Sequence, residues 1–353
     1  MQALVTTPGE ARSTRVEDVP EPEPGEGQVL VRTLEVGVCG TDREISEGRF
    51  GVPAGEGEPL VLGHEFLGRV ERDGCGFSAG DLVTATVRRS CGHCDACAQD
   101  APDACLTGDY VERGITRLDG FARELVAEDA HELIAVPEAL GRLGVLAEPS
   151  SICARALRHA RVVGDRQPRR AHRALVLGPG AIGMLAALFL RLDGFEVWIA
   201  GRSRATAPKA QVAEGCGARY VSLQDTPVAE LAAELGGFDV VVEATGDAQV
   251  MADTLGFLGR NGVSVLLGID GRPRTVGVDA QVLAVDAILQ NRALLGSVNA
   301  NRVDWEDAVQ RLDRARERWP GLLDAYVDLR VAPDRFGDAF AHRGVKATLD
   351  FTS

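Results

Sequence analysis

Two hydrophobic rhythms divide the chain. Up to about residue 155, short apolar runs alternate with glycine-rich and polar turns: Gln2 to Thr6, Gln28-Val29-Leu30-Val31-Arg32, Leu60-Val61-Leu62-Gly63 and Asp81-Leu82-Val83-Thr84-Ala85. Runs of this length between turn residues predict strands, and the stretch from Pro20 to Pro24 predicts a loop. From about Arg173 the rhythm changes. Ala174-Leu175-Val176-Leu177 is apolar throughout, Gly178-Pro179-Gly180-Ala181-Ile182-Gly183 follows, and a helical run covers Met184 to Leu192. A strand from Glu196 to Ala200, a helix around Ala207 to Gly215, and the apolar strands Phe238 to Glu243 and Gly262 to Leu267 continue the alternation. Strands that are apolar on both faces, alternating with helices, predict a doubly wound parallel α/β sheet. The C-terminal segment predicts a helix from Trp305 to Arg318 and strand pieces ending in Ala347 to Phe351, which return to the first domain.

The 353 residues suit two domains. A formal net charge of −14 argues against nucleic acid and anionic membranes as partners, since both require a basic face. No apolar run approaches a membrane span. The segment from Met1 to Arg12 lacks the charged leader and apolar core of a signal peptide, so the expected location is the cytoplasm. Of the 38 basic residues only Lys209 and Lys346 are lysines, a bias that reads as codon or solvation habit.

The chemistry is concentrated in three places. Cys91, Cys94, Cys97 and Cys105 are spaced Cys-x2-Cys-x2-Cys-x7-Cys; four thiolates close a tetrahedral zinc site and leave no open position, so this is a structural lobe. Two disulfides or four unrelated thiols are the alternative. Cys75, Cys153 and Cys216 read as buried thiols without a role. Gly178, Gly180 and Gly183, with Ala181 and Ile182 between them, follow a strand and open a helix, the context in which such a loop holds a pyrophosphate at a helix N-terminus. The next strand ends in Gly201-Arg202-Ser203-Arg204. An NAD enzyme places an acid there for the ribose 2′-hydroxyl, whereas Arg202, Ser203 and Arg204 offer room, charge and a hydroxyl for a 2′-phosphate. NADP is the expected cofactor, with NAD possible. Third, Cys39, His64, Glu65 and Glu148 supply a thiolate, an imidazole and two carboxylates, a set that can hold zinc and keep a position open.

These motifs occur together and in order, and the chain resembles the zinc-containing medium-chain alcohol dehydrogenase family. The resemblance rests on Cys39-Gly40-Thr41-Asp42, Gly63-His64-Glu65, the cysteine lobe, Glu148-Pro149 and the glycine loop. It implies a GroES-like, strand-rich catalytic domain from residues 1–155 and 300–353, with a Rossmann domain at 156–299. It also implies catalytic zinc on Cys39, His64 and Glu65 or Glu148. Within the family the chain looks most like the glucose 1-dehydrogenase branch, by Cys39 to Ile45, Val87-Arg88-Arg89, Glu112 to Ile115, Asp119-Gly120-Phe121 and Gly296 to Asn301. That likeness implies oxidation of a sugar, D-glucose first, at C1 to a lactone with hydride transfer to NADP. Glu112, Glu148 and Asn299 would contact the sugar, Thr41 would take the proton, and Glu148 is an alternative acceptor. Glu44 stands where alcohol and polyol dehydrogenases carry a proton-relay histidine, and Ser150-Ser151 departs from the expected Leu-Ser. Polyol, threonine or aminocyclitol oxidation is the alternative within the family. A non-catalytic nucleotide-binding zinc protein is the alternative of another class, and the intact catalytic set argues against it. The family implies a homo-dimer or tetramer through a Rossmann edge strand, for which Arg292 to Val298 is suited.

Overall fold

The computed structural model describes residues 1–168, 171–269, 271 and 274–352. The chain separates into two compact units: residues 1–151, 299–316 and 327–353 in the first, and 152–298 with 317–326 in the second.

The first unit is built around one long strand, Gln28–Val38. Its buried residues recur at every second position before a fully buried end, the pattern of a strand that packs one face first and both faces later. It pairs antiparallel with Leu125–Asp129, with Glu65–Val70 and with the C-terminal strand Lys346–Asp350, which itself runs parallel to Val327–Val331. Leu82–Ala85 and Leu133–Ala135 complete a seven-stranded sheet. Val31, Val36, Phe66 and Phe121 fill its core, with the two phenyl rings stacked 4.4 Å apart. Two three-stranded sheets flank it, one from Gln2–Thr6, Arg15–Asp18 and Leu60–Val61, the other from Arg88–Arg89, Val111–Arg113 and Arg117–Leu118. The strand at Leu60 is shorter than its apolar run because Gly63, at φ +89°, turns the chain toward His64.

Cys75, expected to be buried, is exposed: it sits at φ +51° in a tight turn whose ends, Gly74 and Phe77, pair with each other. A long helix, Ala147–Gly164, begins inside the segment expected to be strand-rich. Its apolar positions Cys153, Ala156, Leu157 and Ala160 fall three and four apart, and Pro149 sits in the first turn, where no amide donor is needed.

The second unit is a six-stranded parallel sheet in the order Arg219–Ser222, Glu196–Gly201, Arg173–Leu177, Phe238–Glu243, Leu258–Leu266, Ala293–Gly296. The strand order reverses between Arg173–Leu177 and Phe238–Glu243, and such a switch point is where this kind of sheet binds dinucleotides. Residues 317–326 belong to this unit rather than to the first, where all of 300–353 was expected. The reason is apolar packing: Leu322, Leu323 and Tyr326 are buried, Leu322 lies against Gly215, and the Tyr326 hydroxyl donates to the Met184 carbonyl at 3.4 Å.

Glu35 welds the chain ends together in the first unit. It is fully buried, and it pairs with Arg142 at 2.8 Å and Arg330 at 2.9 Å and accepts from the Thr348 hydroxyl. Glu35→Ala is expected to lower the unfolding free energy by about 2–3 kcal/mol, because a buried hydroxyl and two arginines lose their acceptor while the arginines recover part of their hydration. Chemical denaturation measures it; a loss below about 0.5 kcal/mol contradicts the weld.

Candidate functional site: a charged metal-binding cluster and a nucleotide loop

Cys39 ends the long strand and caps the helix Gly40–Ser46. Its sulfur accepts from the Thr41 amide at 3.2 Å, and the Asp42 carboxylate accepts from the Cys39 amide at 2.8 Å, a reciprocal capping box. The cap leaves the sulfur facing His64, whose Nε2 lies 3.1 Å from it. The other ring nitrogen, Nδ1, faces Asp42 at 3.4 Å. One nitrogen toward a metal and the other toward a carboxylate is the arrangement that fixes a ligating imidazole. Glu65 follows on the strand register, with Gly37 directly across. A side chain at 37 would place its Cβ 1.9 Å from the Glu65 carboxylate, so glycine there makes room for the acid.

Glu65 does not stand alone. Lys346 pairs with its carboxylate and donates to the Val38 carbonyl at 3.3 Å. The lysine is 3% exposed. Burial penalises its charge, yet Glu65 and Cys39 hold its pKa above the ordinary value. His64 behaves likewise: burial opposes the imidazolium, but Cys39 and Asp42 outweigh it and raise its pKa well above normal. Asp42 is held low despite burial, chiefly by His64. Glu148, in the first turn of Ala147–Gly164, is pushed up to about 7 by burial, with Glu65 and Asp42 adding like charge against the pull of His64 and Lys346. Four potential anions thus face Lys346 and His64, with Arg43 also in electrostatic reach of Cys39, Asp42 and Glu65. A divalent cation is what such a set lacks, and Cys39, His64 and Glu65 bring their donor atoms within 4.8 Å of one another.

The four cysteines of the lobe also converge within 4.8 Å. Their sulfurs are free thiols, with Cys94 and Cys97 at 3.5 Å and Cys91 and Cys97 at 3.9 Å, so the disulfide alternative fails and the donors fit zinc. His93 is exposed and its ring turns to the Cys91 carbonyl at 2.8 Å.

Glu112 lies on Val111–Arg113 and is clamped by Arg88, whose Nε and Nη2 donate to one carboxylate oxygen at 3.0 and 2.9 Å. Arg88 stacks on Tyr110 at 3.8 Å. Asn299 sits at φ +65°, ahead of the helix Arg302–Arg318.

In the second unit, Gly178, at φ +101°, turns the chain out of Arg173–Leu177, and Gly180 caps the helix Ala181–Leu192 with open space beside it. A Cβ on Gly183 would lie 1.9 Å from the Gly178 carbonyl, so the third glycine lets helix and strand touch. Ala181 and Ile182 form the first helical turn, whose free amides and dipole suit a phosphate. At the neighbouring strand end, a Cβ on Gly201 would lie 2.5 Å from the Tyr220 hydroxyl, which excludes an acidic side chain. Tyr220 donates to the Ser203 carbonyl at 3.1 Å and Gln224 to the Arg202 carbonyl at 2.8 Å. The loop backbone is fixed while Arg202 and Arg204 are exposed.

Sequence reasoning missed Asp42 as the partner of His64, and it missed Lys346. The signal for the second was present: an arginine-rich chain that keeps only two lysines.

Comparison with known proteins agrees with this geometry. Residues 25–138 match the alcohol dehydrogenase GroES-like domain and residues 141–351 match the glucose dehydrogenase C-terminus. The chain belongs to the glucose dehydrogenase branch of the zinc-dependent medium-chain alcohol dehydrogenases. It is 44% identical to a glucose 1-dehydrogenase of Methanocella arvoryzae over 94% of this chain and 93% of that one. It is 36% identical to glucose 1-dehydrogenase 2 of Vulcanisaeta moutnovskia over 99% of each. Its structure superposes on Haloferax mediterranei glucose dehydrogenase, solved with NADP, zinc and gluconolactone, with a TM-score of 0.91 and 34% identity over 100% of both chains.

Cys39→Ser is expected to lower bound zinc from about two equivalents per chain to about one without loss of secondary structure. Elemental analysis with circular dichroism checks this; unchanged metal content would remove Cys39 from the ligand set.

Proposed function

We propose that this chain oxidises D-glucose at C1 to the lactone, with NADP as hydride acceptor and zinc as catalytic metal. The observation that carries the reading is the convergence of Cys39, His64 and Glu65 within 4.8 Å of one another, with Glu148 in electrostatic reach, a donor set that suits a divalent cation, in a chain of this family. Zinc there supplies Lewis acidity toward the C1 hydroxyl, and NADP supplies the hydride acceptor.

The chain's own groups do the rest. Cys39 and His64 hold the metal together with a carboxylate. Glu65 brings its carboxylate within 4.8 Å of the Cys39 and His64 donors while sharing its charge with Lys346, and Glu148 is the second carboxylate in electrostatic reach of the site. Asp42 fixes the His64 ring. Thr41, two residues beyond Cys39 in the first helical turn, accepts the proton of the C1 hydroxyl while passing its own hydroxyl proton on to solvent, a relay role that Glu148 would otherwise serve. Glu148, Asn299 and the Glu112 oxygen that Arg88 leaves open accept or donate hydrogen bonds to the sugar hydroxyls. Gly178, Gly180, Ala181, Ile182 and Gly183 cradle the pyrophosphate, and Arg202, Ser203 and Arg204 take the 2′-phosphate.

The chain works as a homo-oligomer in the cytoplasm. Support for the first is the outer strand Ala293–Gly296, around which Ile288, Leu289, Leu294 and Val298 are exposed; an apolar sheet edge of this kind is covered by a second copy. Support for the second is that all eight cysteines are free, as a reducing compartment keeps them. No helix among the described residues is long and apolar enough to cross a membrane.

The test is initial NADPH formation by zinc-replete protein with D-glucose, against NAD and against galactose, xylose, sorbitol, threonine and ethanol. Fast turnover of glucose with NADP is the expected result, and Arg202→Ala in the same assay should lose about tenfold in NADP affinity while NAD is spared. Turnover of sorbitol or threonine with silence on every sugar would overturn the substrate; equal loss for both cofactors would remove Arg202 from the phosphate site.

A further inference from the structure

The four-cysteine lobe is tied to a segment far away in the chain. Asn301 donates through its side-chain amide to the Asp100 carbonyl at 2.7 Å and to the Asp103 carboxylate at 3.1 Å. Both acceptors lie between Cys97 and Cys105, within the lobe. The Asn301 backbone amide is taken by Asp304 at 3.0 Å at the start of the helix Arg302–Arg318. Side chain and main chain of residue 301 are therefore both fixed. Asp103 is 8% exposed and Asp304 2%, so the bonds to these two carboxylates are partly sheltered from water, while the bond to the Asp100 carbonyl lies at the surface.

Two residues upstream stands Asn299, in the left-handed region at φ +65°. Asparagine tolerates that conformation better than most residues, at some cost. Only the buried Ala300 separates it from the anchor. The lobe itself has no regular structure beyond two short 3-10 turns, Cys97–Gln99 and Pro102–Ala104, and closes at its neck through the Ser90 hydroxyl on the Pro102 carbonyl at 2.6 Å. Its stiffness depends on the sulfurs being tied to one another. Arg88, which clamps Glu112, lies two residues before that neck.

We propose that the four-cysteine lobe is a positioning element of the sugar site, and that the clasp of Asp100 and Asp103 on Asn301 sets the backbone of Asn299 so that its amide meets a sugar hydroxyl. The proposal rests on the reading of Asn299 as a sugar contact. Asn301 and Asp103 are positioning residues in this scheme: they touch neither sugar nor cofactor, and their loss is read in sugar affinity.

The experiment uses zinc-replete full-length protein at saturating NADP, with D-glucose varied. Asn301→Ala is expected to raise the glucose KM about tenfold, the equivalent of one well-made hydrogen bond, with kcat within about twofold and with NADP affinity and zinc content unchanged. Asp103→Ala should do the same, while Asp103→Asn, which keeps an oxygen acceptor, should restore the wild-type KM. Asn299→Ala should raise the KM alone, and adding Asn301→Ala to it should cost nothing more, since the two act through one contact. Independent, multiplying effects in the double variant would overturn the clasp. So would a wild-type KM for both Asn301→Ala and Asp103→Ala alongside a raised KM for Asn299→Ala. An unaltered KM for Asn299→Ala would overturn the sugar-contact reading itself, and the proposal with it.

Discussion

A buried acid without a cation is expensive, and this constraint organises the first unit. Cys39, Asp42, Glu65 and Glu148 gather around His64, and Lys346 reaches in from the last strand. Lys346, His64 and Arg43 supply fewer positive charges than the four acidic groups could carry as anions. Burial raises the pKa of Glu148 to about 7, and the like charges of Glu65 and Asp42 add to it against the pull of His64 and Lys346. The same excess that destabilises an empty cluster is binding energy for a divalent ion, since metal binding requires ligands already deprotonated and held apart.

The fold exists to bring that cluster together from four distant places in the sequence. The long strand Gln28–Val38 delivers Cys39, its antiparallel neighbour delivers Glu65 after His64, and its other neighbour, the C-terminal strand, delivers Lys346. Glu148 comes from the first turn of a helix. Because Lys346 and Glu35 both join the C-terminal strand to the N-terminal half, the returning segment is part of the site rather than a covering for it. In the second unit the same economy appears in backbone form: three glycines and a helix start, without a single charged side chain in the loop, leave free amides of the kind that suit a phosphate.

Much of this was legible in the sequence because local chemistry carries it. The strand Phe238–Glu243 and the first strand Gln2–Thr6 have the bounds their apolar runs predict. The cysteine spacing and the glycine loop are motifs whose residues must be neighbours. What escaped was non-local. Ala147–Gly164 mixes serine, arginine and histidine with its apolar positions, and glycines and prolines ahead of it look like strand punctuation. Residues 317–326 follow a helix of the first unit yet pack with the second, a choice made by Gly215 and Met184 and invisible along the chain. Lys346 lies 281 residues from Glu65; only its rarity as a lysine hinted at it. Asn301 drew notice as part of a family phrase, but its bond to Asp103, 198 residues earlier, needed the fold.

Anomalous X-ray scattering at the zinc edge from crystals of the untreated protein tests the central claim most directly, because it locates the charge that the buried cluster lacks. Two peaks per chain are predicted, one among Cys91, Cys94, Cys97 and Cys105 and one bounded by Cys39, His64 and a carboxylate from Glu65 or Glu148. A single peak in the cysteine lobe, with the Cys39 cluster holding no metal even after zinc is supplied, would contradict the account.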